Sequence, residues 1–102
     1  MNKMNFNQKV WEKLKGIPKG RISTYKEIAK AIGKPKAFRA VGNACNKNPF
    51  APKVPCHRIV KSNGRIGGYA QGPKKKTELL EREGIKIEKG KIMGFKEKLY
   101  KF

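Results

Sequence analysis

Carboxylates are scarce in this chain, and through its middle half they are absent. Its 102 residues carry 26 Lys and Arg against 7 Asp and Glu, for a formal net charge of +19, and no acidic residue lies between Ile28 and Thr77. Twelve positive charges sit in that interval: Lys30, Lys34, Lys36, Arg39, Lys47, Lys53, Arg58, Lys61, Arg65, Lys74, Lys75 and Lys76. Self-repulsion of that size destabilises a compact state unless a polyanion neutralises it, so nucleic acid is the expected partner. An anionic membrane surface competes for the same charge, but the segment reads as several short elements instead of one long basic amphipathic helix. Long apolar runs are missing too. None approaches the roughly 18 residues a transmembrane helix needs, and Met1 to Val10 lacks the apolar core of a signal peptide, so the expected location is cytoplasmic or nucleoid-associated, with no membrane partner. Two cysteines, Cys45 and Cys56, are too few for a disulfide scaffold, which leaves a thiol free for chemistry. Apolar residues make up only 37% of the chain and aromatics 9%, values that point toward disorder on composition alone. The apolar residues nevertheless cluster periodically between turn signals, and that patterning decides for one folded domain over residues 1–102.

Asn5-Phe6-Asn7-Gln8 has the form of a capping box, and Phe6, Val10, Trp11 and Leu14 then recur at helical spacing up to Gly16. Ile17-Pro18-Lys19-Gly20 turns the chain into a short extended piece from Arg21 to Ser23. Ser23 or Thr24 then caps a second helix, with Glu27 placed to close the box, apolar Tyr25, Ile28, Ala29 and Ile32, and Gly33 as its stop. After Lys34-Pro35-Lys36 a third helix runs from Ala37 to about Asn46, with Phe38, Val41 and Cys45 expected on its core face. Two short helices around a glycine-bearing turn in a basic stretch read as a helix-turn-helix. Three of the six prolines fall between Asn48 and Pro55, giving a restricted loop ahead of Cys56-His57-Arg58 and the pair Ile59-Val60. Asn63-Gly64 reads as a hairpin turn between extended pieces ending at Tyr69. Pro73 opens a last helix with Leu79 and Leu80 inward and Gly84 as its stop. Ile85, Ile87, Ile92 and Met93 suit a weak hairpin, and residues 96–102 are expected to fray. The fold class expected is mostly α with a small β-hairpin, a winged helix-turn-helix-like single domain.

Cys56 stands beside the only histidine, His57. A thiol attacks as thiolate, and an adjacent base or positive surroundings favour that form. In extended chain the two side chains would point to opposite faces, so a bridging water would have to join them.

The ordered set Ile22-Ser23-Thr24-Tyr25, Arg39-Ala40-Val41-Gly42, Asn48-Pro49, Pro55-Cys56-His57-Arg58-Ile59-Val60, Gly68-Tyr69 and Glu83-Gly84 resembles the C-terminal domain of the O6-alkylguanine-DNA alkyltransferases, the methylated-DNA-protein-cysteine methyltransferases. The resemblance runs from about Phe6 to Ile85. It implies that Cys56 attacks the alkyl carbon on O6 of a damaged guanine and keeps the alkyl group, in a single turnover without cofactor. It also implies that His57 takes the thiol proton through a water, that Glu83 orients His57, and that Asn48 ties the recognition helix to the active-site loop. Tyr25 would assist phosphate rotation and donate toward the guanine ring, and Arg39 would fill the stack vacated by the flipped base from the minor groove. Lys36 and Lys47 are the further DNA-binding candidates on the basic helix pair. Tyr69, Ala70 and Lys76 would line or flank the guanine pocket. Ala70 replaces a residue that is often serine there and so leaves backbone groups to bind O6. Cys45, Cys56 and His57 have no zinc spacing, so no metal site is expected. The partner implied is double-stranded DNA containing O6-alkylguanine, bound by a monomer. Against this reading stand a non-enzymatic helix-turn-helix module and an alkyltransferase-like lesion sensor; the latter group replaces the acceptor cysteine, which this chain retains.

Overall fold

The computed structural model describes residues 4–102; Met1–Lys3, which open both the Met1–Val10 stretch and the 1–102 domain read above, lie outside the described residues. Asn5 does cap the first helix, α1 (Phe6–Lys15). Its side chain accepts from the Gln8 amide at 2.8 Å while the Gln8 side chain accepts from the Asn5 amide at 2.9 Å, so two of the helix's orphan donors are satisfied reciprocally. Val10 and Leu14 are fully buried, and Trp11 fixes α1 to the third helix by donating its indole N–H to the Ala44 carbonyl at 2.9 Å.

A two-residue strand, β1 (Ser23–Thr24), leads directly into α2 (Tyr25–Ala31). Thr24 is the cap, accepting from the Glu27 amide at 3.0 Å; Glu27 pairs with Lys30 instead of closing the box. Gly33, at φ +79°, ends this helix where a side chain would be strained. The chain then turns into α3 (Phe38–Asn46), whose buried stripe is Val41, Ala44 and Cys45. Phe38 departs from its expected core position: it is the first residue of the helix and 39% exposed, with the Lys26 ammonium 5.8 Å from its ring centre. The stripe that packs begins one turn later.

Cys56–Arg58 form a single 3₁₀ turn followed by β2 (Ile59–Val60). This replaces the extended geometry expected for Cys56-His57. A tight turn does close at Asn63-Gly64, with Lys61 N–H donating to the Arg65 carbonyl at 2.9 Å, but β2 pairs in parallel with β1, placing Ser23 beside Ile59 and Thr24 beside Val60. Ile59 and Val60 are both fully buried, and a solvent-facing hairpin could not cover both. The hairpin proper is the later one, β3 (Ile87–Glu88) with β4 (Lys91–Ile92), antiparallel as the tail's alternation suggested; Met93 beyond it is exposed.

Helix α4 (Pro73–Arg82) buries Leu80 and Lys76, with Leu79 only half-buried, and Gly84 at φ +85° follows it. The tail is tied back to the domain. A short helix, α5 (Phe95–Lys98), delivers Leu99 into a parallel bridge with Ile22; Ile22 N–H donates to the Lys98 carbonyl at 3.0 Å, and Arg21 reaches the carbonyls of Lys98 and Leu99 at 3.0 and 2.8 Å. Sequence periodicity was blind to this docking because its donors and acceptors are backbone groups and an arginine some 77 positions away. The result is mostly helical with small sheets: a helix-turn-helix of α2 and α3 buttressed by α1, and a wing built from β3–β4.

Candidate active site

The proline-rich loop is held by Asn48. Its amide donates to the Val54 carbonyl at 2.8 Å and its carbonyl oxygen accepts from the Phe50 amide at 2.9 Å. Cys56 N–H donates to the same Val54 carbonyl at 2.9 Å, so the end of α3, the loop and the thiol-bearing residue share one junction. Cys56 is 3% exposed and His57 2%.

The 3₁₀ turn sends His57 toward α4, where Nε2 lies 3.0 Å from Oε2 of Glu83. The other ring nitrogen, Nδ1, is buried without a hydrogen-bond partner. A carboxylate accepts and does not donate, so Glu83 places the imidazole proton on Nε2 and leaves the Nδ1 lone pair free. Burial holds the His57 pKa below its usual 6.5 against the opposing pull of Glu83, which favours the neutral base. Burial alone would raise the Glu83 carboxyl, but hydrogen bonds from Arg58 and His57 outweigh it and hold the group below its usual 4.5. Arg58 had no separate role in the sequence reading beyond its place in the motif. It grips Glu83 bidentately, Nε to Oε1 at 2.9 Å and Nη2 to Oε2 at 2.6 Å, while Nη1 donates to the Ile17 carbonyl at 2.8 Å. Only the fixed spacing after Cys-His could have flagged it.

Of Lys74, Lys75 and Lys76 only Lys76 turns into the core. It is fully buried, and its ammonium donates to the carbonyls of Ile59, at 2.5 Å, and Gly68, at 3.0 Å. Burial pulls its pKa down to about 8, and the neighbouring Cys45 and Cys56 thiols act the other way. Tyr25, half-buried at the start of α2, has its ring 6.0 Å from that ammonium. Burial first, then the nearby Cys45 and Cys56, push its hydroxyl up to about 12, so at neutral pH it remains a donor. Gly67, at φ +74°, passes so close that a Cβ there would stand 3.3 Å from the Tyr25 hydroxyl oxygen. The Tyr69 hydroxyl is enclosed without a hydrogen-bond partner, and burial and then Cys56 raise it to about 12. Cys45 lies on the inner face of α3, with burial and then Cys56 raising its thiol to about 12.

The structure therefore gathers Tyr25, Cys45, Tyr69 and Lys76 around Cys56, and joins its neighbours His57 and Arg58 to Glu83. Ala70 stands apart, exposed in the turn that Gly72 N–H closes on the Tyr69 carbonyl at 2.9 Å. Arg39, Lys36 and Lys47 are exposed and make no ion pair among the described residues. Arg39, Phe38, Tyr25 and Lys26 border a shallow depression of about 640 Å³ that Lys61, Ser62 and Asn63 close on the far side. Among the described residues no cluster of three His, Cys, Asp or Glu side chains could hold a metal, and no helix is long and apolar enough to cross a membrane.

Residues 5–85 match the family model for the DNA-binding domain of 6-O-methylguanine DNA methyltransferase. A methylated-DNA–protein-cysteine methyltransferase of Methanosarcina acetivorans is 56% identical over 79 residues, covering 78% of this chain and 51% of the relative. The chain thus spans about half the length of the curated relatives of this kind. In the solved structure of Mycobacterium tuberculosis OGT in complex with DNA, 80% of this chain aligns with 51% of that one at 46% identity and a TM-score of 0.76. Atl1 of S. pombe, in complex with damaged DNA containing O6-carboxymethylguanine, aligns over the whole of both chains at 32% identity and a TM-score of 0.86.

Proposed function

Because the chain belongs to the 6-O-methylguanine DNA methyltransferase family, we propose that it binds duplex DNA, extrudes an O6-alkylguanine and transfers the alkyl group irreversibly to its own Cys56. One observation carries the chemical half of this reading: His57 is fixed on Glu83 through Nε2, with Nδ1 buried and free to accept a proton beside Cys56. The thiol proton passes to Nδ1 through a bridging water. The sulfur then attacks the alkyl carbon, forming an S–C bond as the C–O6 bond breaks, and the guanine leaves with its charge neutralised by a proton donated from Tyr25. The resemblance assigns that donation to Tyr25, whose hydroxyl, pushed up to about 12, is protonated at neutral pH. The product thioether has no route back to thiol, so each chain acts once. Lys76 and Asn48 position the loops that wall the thiol.

Recognition falls to the outer face. Arg39 enters the stack in place of the extruded base, which offsets the few kcal/mol of unstacking that extrusion costs. Lys36 and Lys47 hold phosphates, which fix register without reading sequence. The protein acts as a monomer wherever the cell keeps its DNA, in cytoplasm or nucleoid, on any sequence that carries the lesion. Incubation with duplex DNA bearing a labelled O6-methyl group gives at most one label per chain, located at Cys56, and Cys56→Ala gives none while still preferring the damaged duplex. Absence of label on the reduced wild-type protein would sink the transferase reading.

The whole-length match to Atl1 in complex with damaged DNA favours a second reading, damage binding without transfer. The same experiment separates the two: a sensor prefers the methylated duplex yet acquires no label. A sequence-specific regulator would instead prefer one sequence with or without methylation.

A further inference from the structure

The family match ends at residue 85, yet the chain continues as a folded, basic element. Between Lys86 and Phe102 there are six lysines, 86, 89, 91, 96, 98 and 101, against Glu88 and Glu97. This element is seated on the domain at two places. The hairpin is tied to the 61–66 turn by Ile66 N–H donating to the Gly90 carbonyl at 3.0 Å and Ile92 N–H to the Gly64 carbonyl at 2.8 Å, and the last residues are tied to β1 through Ile22. Lys91, Lys96 and Lys101 therefore project from a fixed scaffold. They line a groove of about 600 Å³ whose other wall includes Ser62 and Asn63. Those same two residues border the depression that holds Tyr25 and Arg39, so the two concavities adjoin at Ser62 and Asn63. All three lysines are exposed, and none makes an ion pair among the described residues, although Glu88 stands opposite Lys91 in the hairpin register.

We propose that Lys91, Lys96 and Lys101 extend the DNA-binding face beyond the helix-turn-helix, holding the phosphodiester backbone of the duplex flanking the lesion. This rests on the DNA-binding half of the function proposed above and is independent of the transfer step. Charge and continuity both select the occupant: a strip of unpaired cations leading away from Arg39 fits the next phosphates of a duplex already seated there. The anchoring gives those cations a fixed position before binding, so less ordering entropy opposes the contact than for a frayed tail.

Each phosphate neutralised adds about 0.9 to the slope of log K against log salt. The triple variant Lys91→Gln, Lys96→Gln, Lys101→Gln is therefore expected to reduce the slope for an O6-methylguanine duplex by about 2 to 3. Replacement of the same residues by arginine retains the slope. A control losing three exposed lysines elsewhere, Lys9→Gln, Lys53→Gln, Lys74→Gln, loses clearly less. Thermal melts verify folding, and if the triple variant is unfolded, Lys96→Gln alone lowers the slope by about 1. An unchanged slope, an equal fall in the control, or binding of anionic lipid vesicles with the duplex slope unaltered would each overturn the proposal. Label transfer to Cys56 at saturating duplex is the separate readout of the transferase reading. Loss of slope in a protein that never labels would leave this interface standing and remove the transfer.

Discussion

Glu83→Gln isolates the positioning of His57 from the binding of DNA. The carboxylate accepts three hydrogen bonds, from Arg58 Nε at 2.9 Å, Arg58 Nη2 at 2.6 Å and His57 Nε2 at 3.0 Å. Glutamine offers one oxygen and one NH₂ in the same space. With its oxygen at the Oε2 position it keeps Nη2 and His57 but sets its NH₂ against the Arg58 Nε–H. Turned over, it keeps Nε, opposes Nη2, and forces His57 Nε2 to accept, which moves the ring proton to Nδ1 and abolishes the free Nδ1 lone pair. Either arrangement leaves a largely buried guanidinium without its counter-charge. Breaking a buried pair costs about 3–5 kcal/mol, and the partial exposure of these two groups brings the expectation down to about 2–3 kcal/mol. For a chain of this length that is a fall of about 10–20 °C in Tm. Single-turnover transfer of labelled methyl at saturating duplex, measured below the melting transition, should slow by about 10²–10⁴. Arg58→Met separates the two roles: it loses comparable stability but leaves Glu83 on His57, so its transfer rate falls far less. A folded Glu83→Gln protein that transfers within an order of magnitude of wild type would refute the positioning role.

Asn48→Ala removes both hydrogen bonds that bind the loop to itself, costing about 1–3 kcal/mol in chemical denaturation and slowing transfer through a loosened Cys56; stability within error of wild type would contradict the junction seen here. Arg39→Ala alters an exposed side chain, so the stability change stays within about 0.5 kcal/mol, while transfer from duplex falls and transfer from single-stranded substrate, which needs no extrusion, is spared. Acid should destabilise in two stages. The folded pKa of His57 lies below its usual 6.5, so the unfolded chain binds the proton first and stability declines as pH falls from 6.5; Glu83, held below 4.5, adds a second decline from that pH downward. Equilibrium unfolding followed across pH 8 to 3 checks both, and His57→Phe should erase the first stage and shrink the second, because the His57 hydrogen bond helps hold Glu83 low.

The helices were legible because their signals are local. Asn5 with Gln8, Thr24 with the Glu27 amide, Gly33 and Gly84 all act within a few residues, and each stands where its chemistry put it. The strands were not legible in the same way. Ile59-Val60 carries an apolar pair that fits a hairpin or a buried parallel ladder equally well, and only the presence of Ser23-Thr24 alongside decides. Phe38 misled because helical spacing assigns a face but not the length over which that face has a partner. The docked tail was hidden for a related reason: Lys-rich residues 96–102 have the composition of a loose end, and the backbone acceptors they offer to Ile22 and Arg21 leave no mark on side-chain patterning.

The candidate site divides along the same physical line. Cys56 and His57 were identified by adjacency, and Glu83 by resemblance, because each belongs to a motif whose spacing is fixed by the turn or helix that carries it. Lys76 was expected to flank the guanine pocket on the resemblance alone, since Lys74-Lys75-Lys76 is uniform in sequence and the helix turns only the third inward. That inward turn carries a consequence for the chemistry. An ammonium with a pKa of about 8 is still mostly protonated at neutral pH, and its two carbonyl partners lie on β2 and on the loop carrying Tyr69. One buried cation thereby clamps the strand that follows Cys56 to the loop that carries Tyr69, and it lies near enough to Cys56 that negative charge on that sulfur holds the ammonium proton more tightly. Net charge, which pointed first to phosphates outside, thus has one interior member, held by the Ile59 and Gly68 carbonyls beside the proposed nucleophile Cys56.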